Sequence, residues 1–372
     1  MRILFNCSNN VVGGAIQNAA NFIKYSLNDR AHDFYYIVSP DVAHILEAWE
    51  LLPDKILIVD SPAGSISAIS KIKQYEKKCM PDLVYTMAGP TYVKFKARHV
   101  LGISDPYITH ADKNLFFLNR SFFQASKLYI TAFIKGCIAR LSAKQFIFQT
   151  ETSRSGFCDK YLCSVENTYV VSNAIGDAFL SSEKTMFGTR GNTINVLVPS
   201  ADYPHKNLKI ILEMCKLISS RKLDYDIVFT ITIPRNSNFQ KSIVDLKLED
   251  QIKNIGPYSY SDAVDIYSKC DVVFMPSVLE TFSTSYLEAI ALKKPLVVAD
   301  KPFAREICSK YASYFSPFDA EAALQSILAS FSTEVDLVEQ ATILNRFGSQ
   351  AQRYRQIVSI LNRIHLRDFK SV

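Results

Sequence analysis

Three observations predict an α/β fold of two doubly wound domains. Short runs of β-branched and apolar residues alternate with helical periods along both halves of the chain. A length of 372 residues gives each half enough surface to bury a core of its own. Between the halves lies an aperiodic segment, 176–192, with Gly176, Ser181, Ser182, Gly188, Thr189, Gly191 and Asn192, which reads as a linker.

In the first half, residues 1–175, strand-like runs fall at Ile3–Asn6, Phe34–Val38, Lys55–Val59, Leu83–Thr86, Val100–Ile103, Phe146–Gln149 and Tyr169–Val171. Helical patterns lie between several of them, notably Ile16–Leu27 and Phe122–Leu141. Strands that alternate with helices imply a parallel sheet covered on both faces. The second series, in residues 193–345, comprises Asn195–Val198, Ile227–Thr232, Lys253–Ile255, Val272–Met275 and Leu296–Ala299. A final helix in 346–372 places Ala351, Tyr354, Ile357, Val358 and Leu361 on one face, which suits packing back on the first domain. The two domains are expected to face one cleft.

Hydrophobic content of 48% with 21% charge describes an ordered chain and excludes a disordered one. Met1-Arg-Ile-Leu-Phe-Asn turns polar too soon for a signal peptide and reads as the first strand. No apolar run approaches the ~20 residues that cross a bilayer. The eight cysteines are scattered without a Cys-x-x-Cys pair, so reduced thiols in the cytoplasm are expected, with no metal.

The most informative segment is Pro276-Ser-Val-Leu-Glu-Thr-Phe-Ser-Thr-Ser-Tyr-Leu-Glu288. It follows the buried-looking strand Val272–Met275 and turns helical, with Glu280 in the elbow and Glu288 in the helix's second turn. Ligands of open α/β sheets bind at the carboxyl ends of strands, where helix N-termini point. Two carboxylates there can hold sugar hydroxyls while the amides between them hold a phosphate, which suggests a nucleotide-sugar site. Taken alone, each acid could equally be an ordinary surface group.

Val198-Pro-Ser-Ala-Asp-Tyr-Pro-His-Lys-Asn-Leu208 also leaves a strand and enters a helix, so Lys206 is placed as a cation for a diphosphate. The plain alternative is a surface lysine at a helix start. Gly13-Gly14 occupies the corresponding turn after the first strand, where glycine permits close approach to a ligand or simply a tight connection.

These segments resemble the retaining glycosyltransferases of the GT-B class, family 4. The resemblance rests on Pro276-Ser277, Glu280, Glu288-Ala289 and Pro295-Leu-Val-Val298, and is firm over 195–310. It implies the GT-B fold, with an acceptor-binding N-terminal domain and a nucleotide-sugar-binding C-terminal domain. It further implies that Glu280 contacts the donor sugar and Glu288 the ribose. Ser200, His205, Lys206 and the amides of Phe282, Ser283 and Thr284 would hold the diphosphate. Ser200-Ala201 stand where the family usually carries an arginine, and His205 is expected to supply part of that charge. Gly256-Pro257-Tyr258 resembles the loop that meets the base, and Gly13 and Gly14 would border phosphate and acceptor. After Val100–Ile103 the family tends to place His-Asp. Here Ser104-Asp105 stands, so Asp105 is the expected polar group near the reacting centre and His110 its reserve.

Lys94–Lys144 holds nine basic and two acidic residues, +7 against +6 for the whole chain. Within it, Phe122, Ile130, Phe133, Ile134, Cys137, Ile138 and Leu141 form an apolar stripe. The stripe is expected to pack on the sheet with the lysines facing water; the alternative is a basic amphipathic helix on anionic lipid. No stacking-aromatic or recognition motif accompanies the charge, which argues against nucleic acid.

The resulting expectation is a retaining transferase without cofactor or metal, since no Asp-x-Asp stands near a strand end. It would move a sugar from a nucleotide sugar to a polyprenyl-diphosphate-linked or other lipid-linked glycan. The enzyme would sit peripherally on the inner face of the cytoplasmic membrane, against its anionic surface, as a monomer or weak homodimer. The alternative is a weak or inactive subunit that binds a nucleotide sugar or a partner transferase.

Overall fold

The computed structural model describes residues 1–11, 13–181 and 191–367. It resolves into two compact units, Met1–Asn173 with the chain from Gln350 onward, and Ala174–Ser349. Most of the segment expected as a linker, 182–190, lies outside the described residues; its start, Asp177–Leu180, is a short helix whose Phe179 is buried in the second unit.

The first unit holds seven strands, β1 Arg2–Cys7, β2 Asp33–Val38, β3 Ile56–Ile58, β4 Leu83–Thr86, β5 Arg98–Ile103, β6 Gln145–Phe148 and β7 Thr168–Val170. They pair in the order β3-β2-β1-β4-β5-β6-β7, all parallel. The second unit holds β8 Thr193–Val198, β9 Asp226–Ile231, β10 Ile252–Asn254, β11 Val272–Met275, β12 Leu296–Ala299 and β13 Ser313–Phe315. Their order is β10-β9-β8-β11-β12-β13, again parallel. Strand β13 is absent from the sequence expectation, because three residues reading Ser-Tyr-Phe give no apolar run.

Both sheets reverse their winding between the first and fourth strands of the unit, the place where doubly wound folds leave a crevice at the strand ends. In the second unit that point lies between β8 and β11. Strands β11 and β12, Val-Val-Phe-Met and Leu-Val-Val-Ala, are apolar without alternation and fully buried, as parallel strands covered on both faces require. The last helix, Gln350–Arg367, joins the core of the first unit through Tyr354, Ile357, Val358, Leu361 and Ile364. Tyr354 Oη donates to Asp29 Oδ2 at 2.6 Å, and His32 Nε2 lies 2.9 Å from Asn362 Oδ1.

The helix Phe122–Ser142 corrects the sequence reading. It packs inward through Ala125, Ala132, Gly136 and Ala139, while Phe122, Phe123, Ile130, Phe133, Ile134 and Leu141 are exposed. The cause is space: a Cβ added to Gly136 would stand 2.0 Å from Tyr161 Oη. The inward face admits only small residues, so the large apolar ones point out.

Candidate functional site

Lys206 and Glu280 stand at the carboxyl ends of β8 and β11, on the two sides of the switch point. Strand β8 leads into the turn Pro204–Lys206, and Asn207 then takes a left-handed conformation, φ 54°, that turns the chain into the helix Lys209–Ser219. Strand β11 leads into the elbow 276–283. The two loops are tied by a main-chain bond in which Val278 N donates to His205 O at 2.8 Å. That tie brings Lys206 Nζ onto Glu280 Oε1 as an ion pair, their side chains 16% and 12% exposed.

The elbow ends in the helix Thr284–Ala291, whose N-cap Ser283 makes no side-chain cap hydrogen bond. Its first amides therefore keep the partial positive charge of a helix N-terminus beside Glu280. Phe282, almost buried, stacks edge-on against Phe347 with ring centroids 5.4 Å apart, which fixes the elbow's backbone.

Glu288, one turn into that helix, is partly buried. Its Oε2 accepts from Tyr267 Oη at 2.8 Å. Burial pushes its carboxyl above the usual 4.5, against hydrogen bonds from Tyr267, Thr284 and Ser285 that pull it down. Tyr258 hydrogen-bonds Tyr267 and feels the charge of Glu288, so the loop Gly256-Pro257-Tyr258 is joined to Glu288 through two phenols. Gly256 has φ 81°, and its amide donates to Asn254 Oδ1 at 3.0 Å. Phe179 closes this corner, edge-on to Tyr267 at 5.7 Å.

Ser200 is tied down locally, its amide donated to Thr232 Oγ1 at 3.0 Å and its hydroxyl to Ala201 O at 3.1 Å. His205 stacks on Tyr203 with centroids 5.6 Å apart. The sequence does not single out Asn207. It is buried, its Nδ2 makes no hydrogen bond within the described residues, and its only sequence signal is its place beside Lys206. Nor does the sequence single out Tyr267, which 21 residues separate from Glu288.

The expected residues of the first unit lie at the carboxyl ends of its strands. Gly13 follows β1 with φ 53° and ψ −138°, a conformation natural to glycine, and caps the helix Gly14–Ser26; a Cβ at either glycine would meet nothing within 4 Å. Asp105 follows β5 and caps the helix Pro106–Thr109, accepting from Tyr107 N at 2.9 Å; burial raises its carboxyl above the ordinary value. His110 ends that helix, with Nδ1 2.9 Å from Thr109 Oγ1, and packs over Gly156. Among the described residues, no three His, Cys, Asp or Glu side chains are grouped to hold a metal ion.

Residues 183–344 match the family glycosyl transferases group 1. The chain carries a glycosyl transferases group 1 domain. That stretch contains Lys206, Glu280 and Glu288, so the ion pair and the Tyr267-held carboxylate lie within the family's part of the molecule. The chain is 26% identical over 252 residues to the O-antigen chain mannosyltransferase RfbU of Salmonella typhimurium, covering 66% of this chain and 65% of that one. It is 24% identical over 189 residues to the N,N'-diacetylbacillosaminyl-diphospho-undecaprenol alpha-1,3-N-acetylgalactosaminyltransferase of Campylobacter jejuni, covering 48% of each. The fold matches Anabaena HepE solved with UDP-glucose, TM-score 0.73 and 18% identity over 98% of this chain and 100% of that one. It also matches a glycosyltransferase from Rickettsia africae, TM-score 0.72 and 17% identity over 98% of each. At these identities the structural matches speak for the fold alone, which is GT-B.

Proposed function

We propose that this chain is a retaining glycosyltransferase of the family 4 type, which moves a sugar from a nucleotide-diphosphate donor to a hydroxyl of a lipid-linked glycan. The observation that carries the reading is the Lys206–Glu280 pair at the switch point of the second unit, beside an uncapped helix N-terminus. Breaking the bond from the sugar's anomeric carbon to the diphosphate leaves negative charge on the leaving oxygen. Lys206 and the Phe282–Thr284 amides are the positive groups at hand. Glu280 would hold the sugar's hydroxyls and Glu288 the ribose. The acceptor hydroxyl would attack from the face the diphosphate leaves, its proton passing to the departing phosphate. In the first unit, Asp105 would then be the polar group near the reacting centre.

The names of the relatives support the acceptor class, one as an O-antigen chain enzyme and one through the undecaprenol diphosphate in its name. The Anabaena protein of the same fold was solved with UDP-glucose, a donor of the proposed class. O-antigen, capsule or related polysaccharide assembly on the inner face of the cytoplasmic membrane follows from that reading, with peripheral contact to anionic lipid. Among the described residues no helix is long and apolar enough to cross a membrane. With Lys206 neutralising the leaving group, no metal is needed.

The test offers the full chain UDP-, GDP- and dTDP-sugars with and without a polyprenyl-diphosphate glycan, in EDTA, and follows nucleotide release. Turnover with one donor that depends on acceptor supports the reading. It is wrong if no donor binds and Glu280→Ala leaves the cellular glycan unchanged.

A further inference from the structure

In the first unit, the helix Phe122–Ser142 turns its larger apolar side chains away from the core. Phe123, Ile130, Ile134 and Leu141 follow one another at spacings of seven, four and seven, so they share one face, and they are 78%, 56%, 52% and 84% exposed. Phe122 and Phe133, also exposed, flank that row. The row runs along a 21-residue helix about 30 Å long, with the exposed Lys127 beside it, and large apolar side chains gathered on one exposed face mark an interaction surface.

At the helix's C-terminal end the strip runs into a pocket. Leu141 lines both, and with it stand Lys94, Lys96, Arg98, Lys144 and Ile364. The three lysines are exposed and, among the described residues, no Asp or Glu lines the pocket. Glu76 lies buried beneath the lysine loop, where its Oε1 accepts the amides of Lys96 and Ala97 at 2.7 and 3.0 Å and holds that loop in place. Arg98 donates to the carbonyl of Ile364. The pocket therefore offers cations at the end of an apolar ridge, the arrangement that suits a phosphate headgroup joined to acyl chains.

We propose that this ridge and pocket form one docking surface for an anionic phospholipid bilayer, the lysines taking lipid phosphates while Phe123, Ile130, Ile134 and Leu141 enter the acyl boundary. The assignment rests on the membrane association proposed above and gives it a place on the molecule. Charge selects this occupant over a second copy of the chain. The Lys94–Lys144 region carries +7, so two such faces repel each other, whereas an anionic leaflet attracts each of them. Interfacial helices of this kind combine an apolar face with flanking Lys and Arg.

The test sediments the full chain with vesicles of phosphatidylcholine alone and of phosphatidylcholine with phosphatidylglycerol. Binding to the anionic vesicles alone is expected. Lys94→Gln/Lys96→Gln/Lys144→Gln should lower the partition about a hundredfold, roughly fivefold for each cation. Ile130→Ser/Ile134→Ser should abolish the part of the binding that survives high salt. Both variants should keep the wild-type unfolding midpoint and donor affinity, because neither touches the second unit. Equal binding to neutral vesicles overturns the proposal, as does wild-type binding by either variant. A wild-type dimer that Ile130→Ser/Ile134→Ser dissociates would assign the face to a second copy and also overturn it. Loss of donor binding by the wild type strikes the transferase reading instead and leaves the vesicle result standing.

Discussion

Tyr267 Oη donates a 2.8 Å hydrogen bond to Glu288 Oε2 and so orients a carboxylate that the second unit keeps partly out of water. Burial holds the Glu288 carboxyl above its usual 4.5, and the Tyr267 hydroxyl is the largest influence pulling it back. Because the folded group binds its proton more tightly than the unfolded one, Glu288 costs stability as pH rises above about 4.5 and costs none where both states are protonated. Tyr267→Phe removes a bond to a charged group and should destabilise the protein by roughly 1.5–3 kcal/mol at pH 7. Urea unfolding at pH 7 and pH 4 checks the sign, since the loss should shrink at the lower pH. The same variant should weaken donor binding, because the carboxylate loses its orientation.

Lys206 and Glu280 hold each other in a corner largely shielded from solvent, which predicts non-additive effects. Either Lys206→Ala or Glu280→Ala leaves a partner charge without its counter-ion. Lys206→Ala should lower kcat on the donor about 10²–10³-fold, the usual cost of losing one group that stabilises leaving-group charge. For folding, the double variant should be less destabilised than the sum of the single ones. Chemical denaturation of all four proteins measures the coupling; simple additivity would show that the pair contributes nothing.

What was legible in the sequence follows from how locally each feature is encoded. Glu280 and Glu288 sit within one strand-elbow-helix segment, and Lys206 within another, so periodicity and turn residues place them without tertiary knowledge. The α/β alternation is similarly local, and it gives two doubly wound sheets. Tyr267 and Asn207 are not legible, because their roles depend on which side chain the fold carries to Glu288 or under the Lys206 turn. The face of Phe122–Ser142 misleads for a physical reason. Counting apolar residues assigns the larger ones inward, but Tyr161 fills the space over Gly136 and leaves room only for alanine and glycine.

His99 should act as an acid-sensitive element of the first unit. It is buried, with Nε2 2.9 Å from Thr86 Oγ1 and Nδ1 2.9 Å from Ser142 O. Burial lowers its pKa from 6.5 to about 4. As pH falls below 6.5 the unfolded chain takes up the proton first, so stability drops until the folded ring also protonates near 4. The full loss is about 3 kcal/mol. The denaturation midpoint of the wild type should fall across that window. His99→Gln, which keeps polar atoms at the site, should flatten the fall while lowering stability at pH 7. An unchanged pH profile would remove His99 as its source.

The two faces of Phe122–Ser142 should respond oppositely to substitution. Gly136→Ala places a methyl group against the Tyr161 ring, and the ring cannot retreat freely because it packs on Phe157 at 4.8 Å. Overpacking of this kind costs about 1–3 kcal/mol, even though alanine is the better helix former. Ile130→Ser removes a side chain that is 56% exposed, and surface changes of that sort stay within about 0.5 kcal/mol. The usual rule that large apolar residues are buried predicts the reverse order, with Ile130→Ser the damaging change. Thermal and urea unfolding of the two single variants therefore decides which face of the helix is packed. A larger loss for Ile130→Ser would place the apolar row in the core and withdraw it from any surface role.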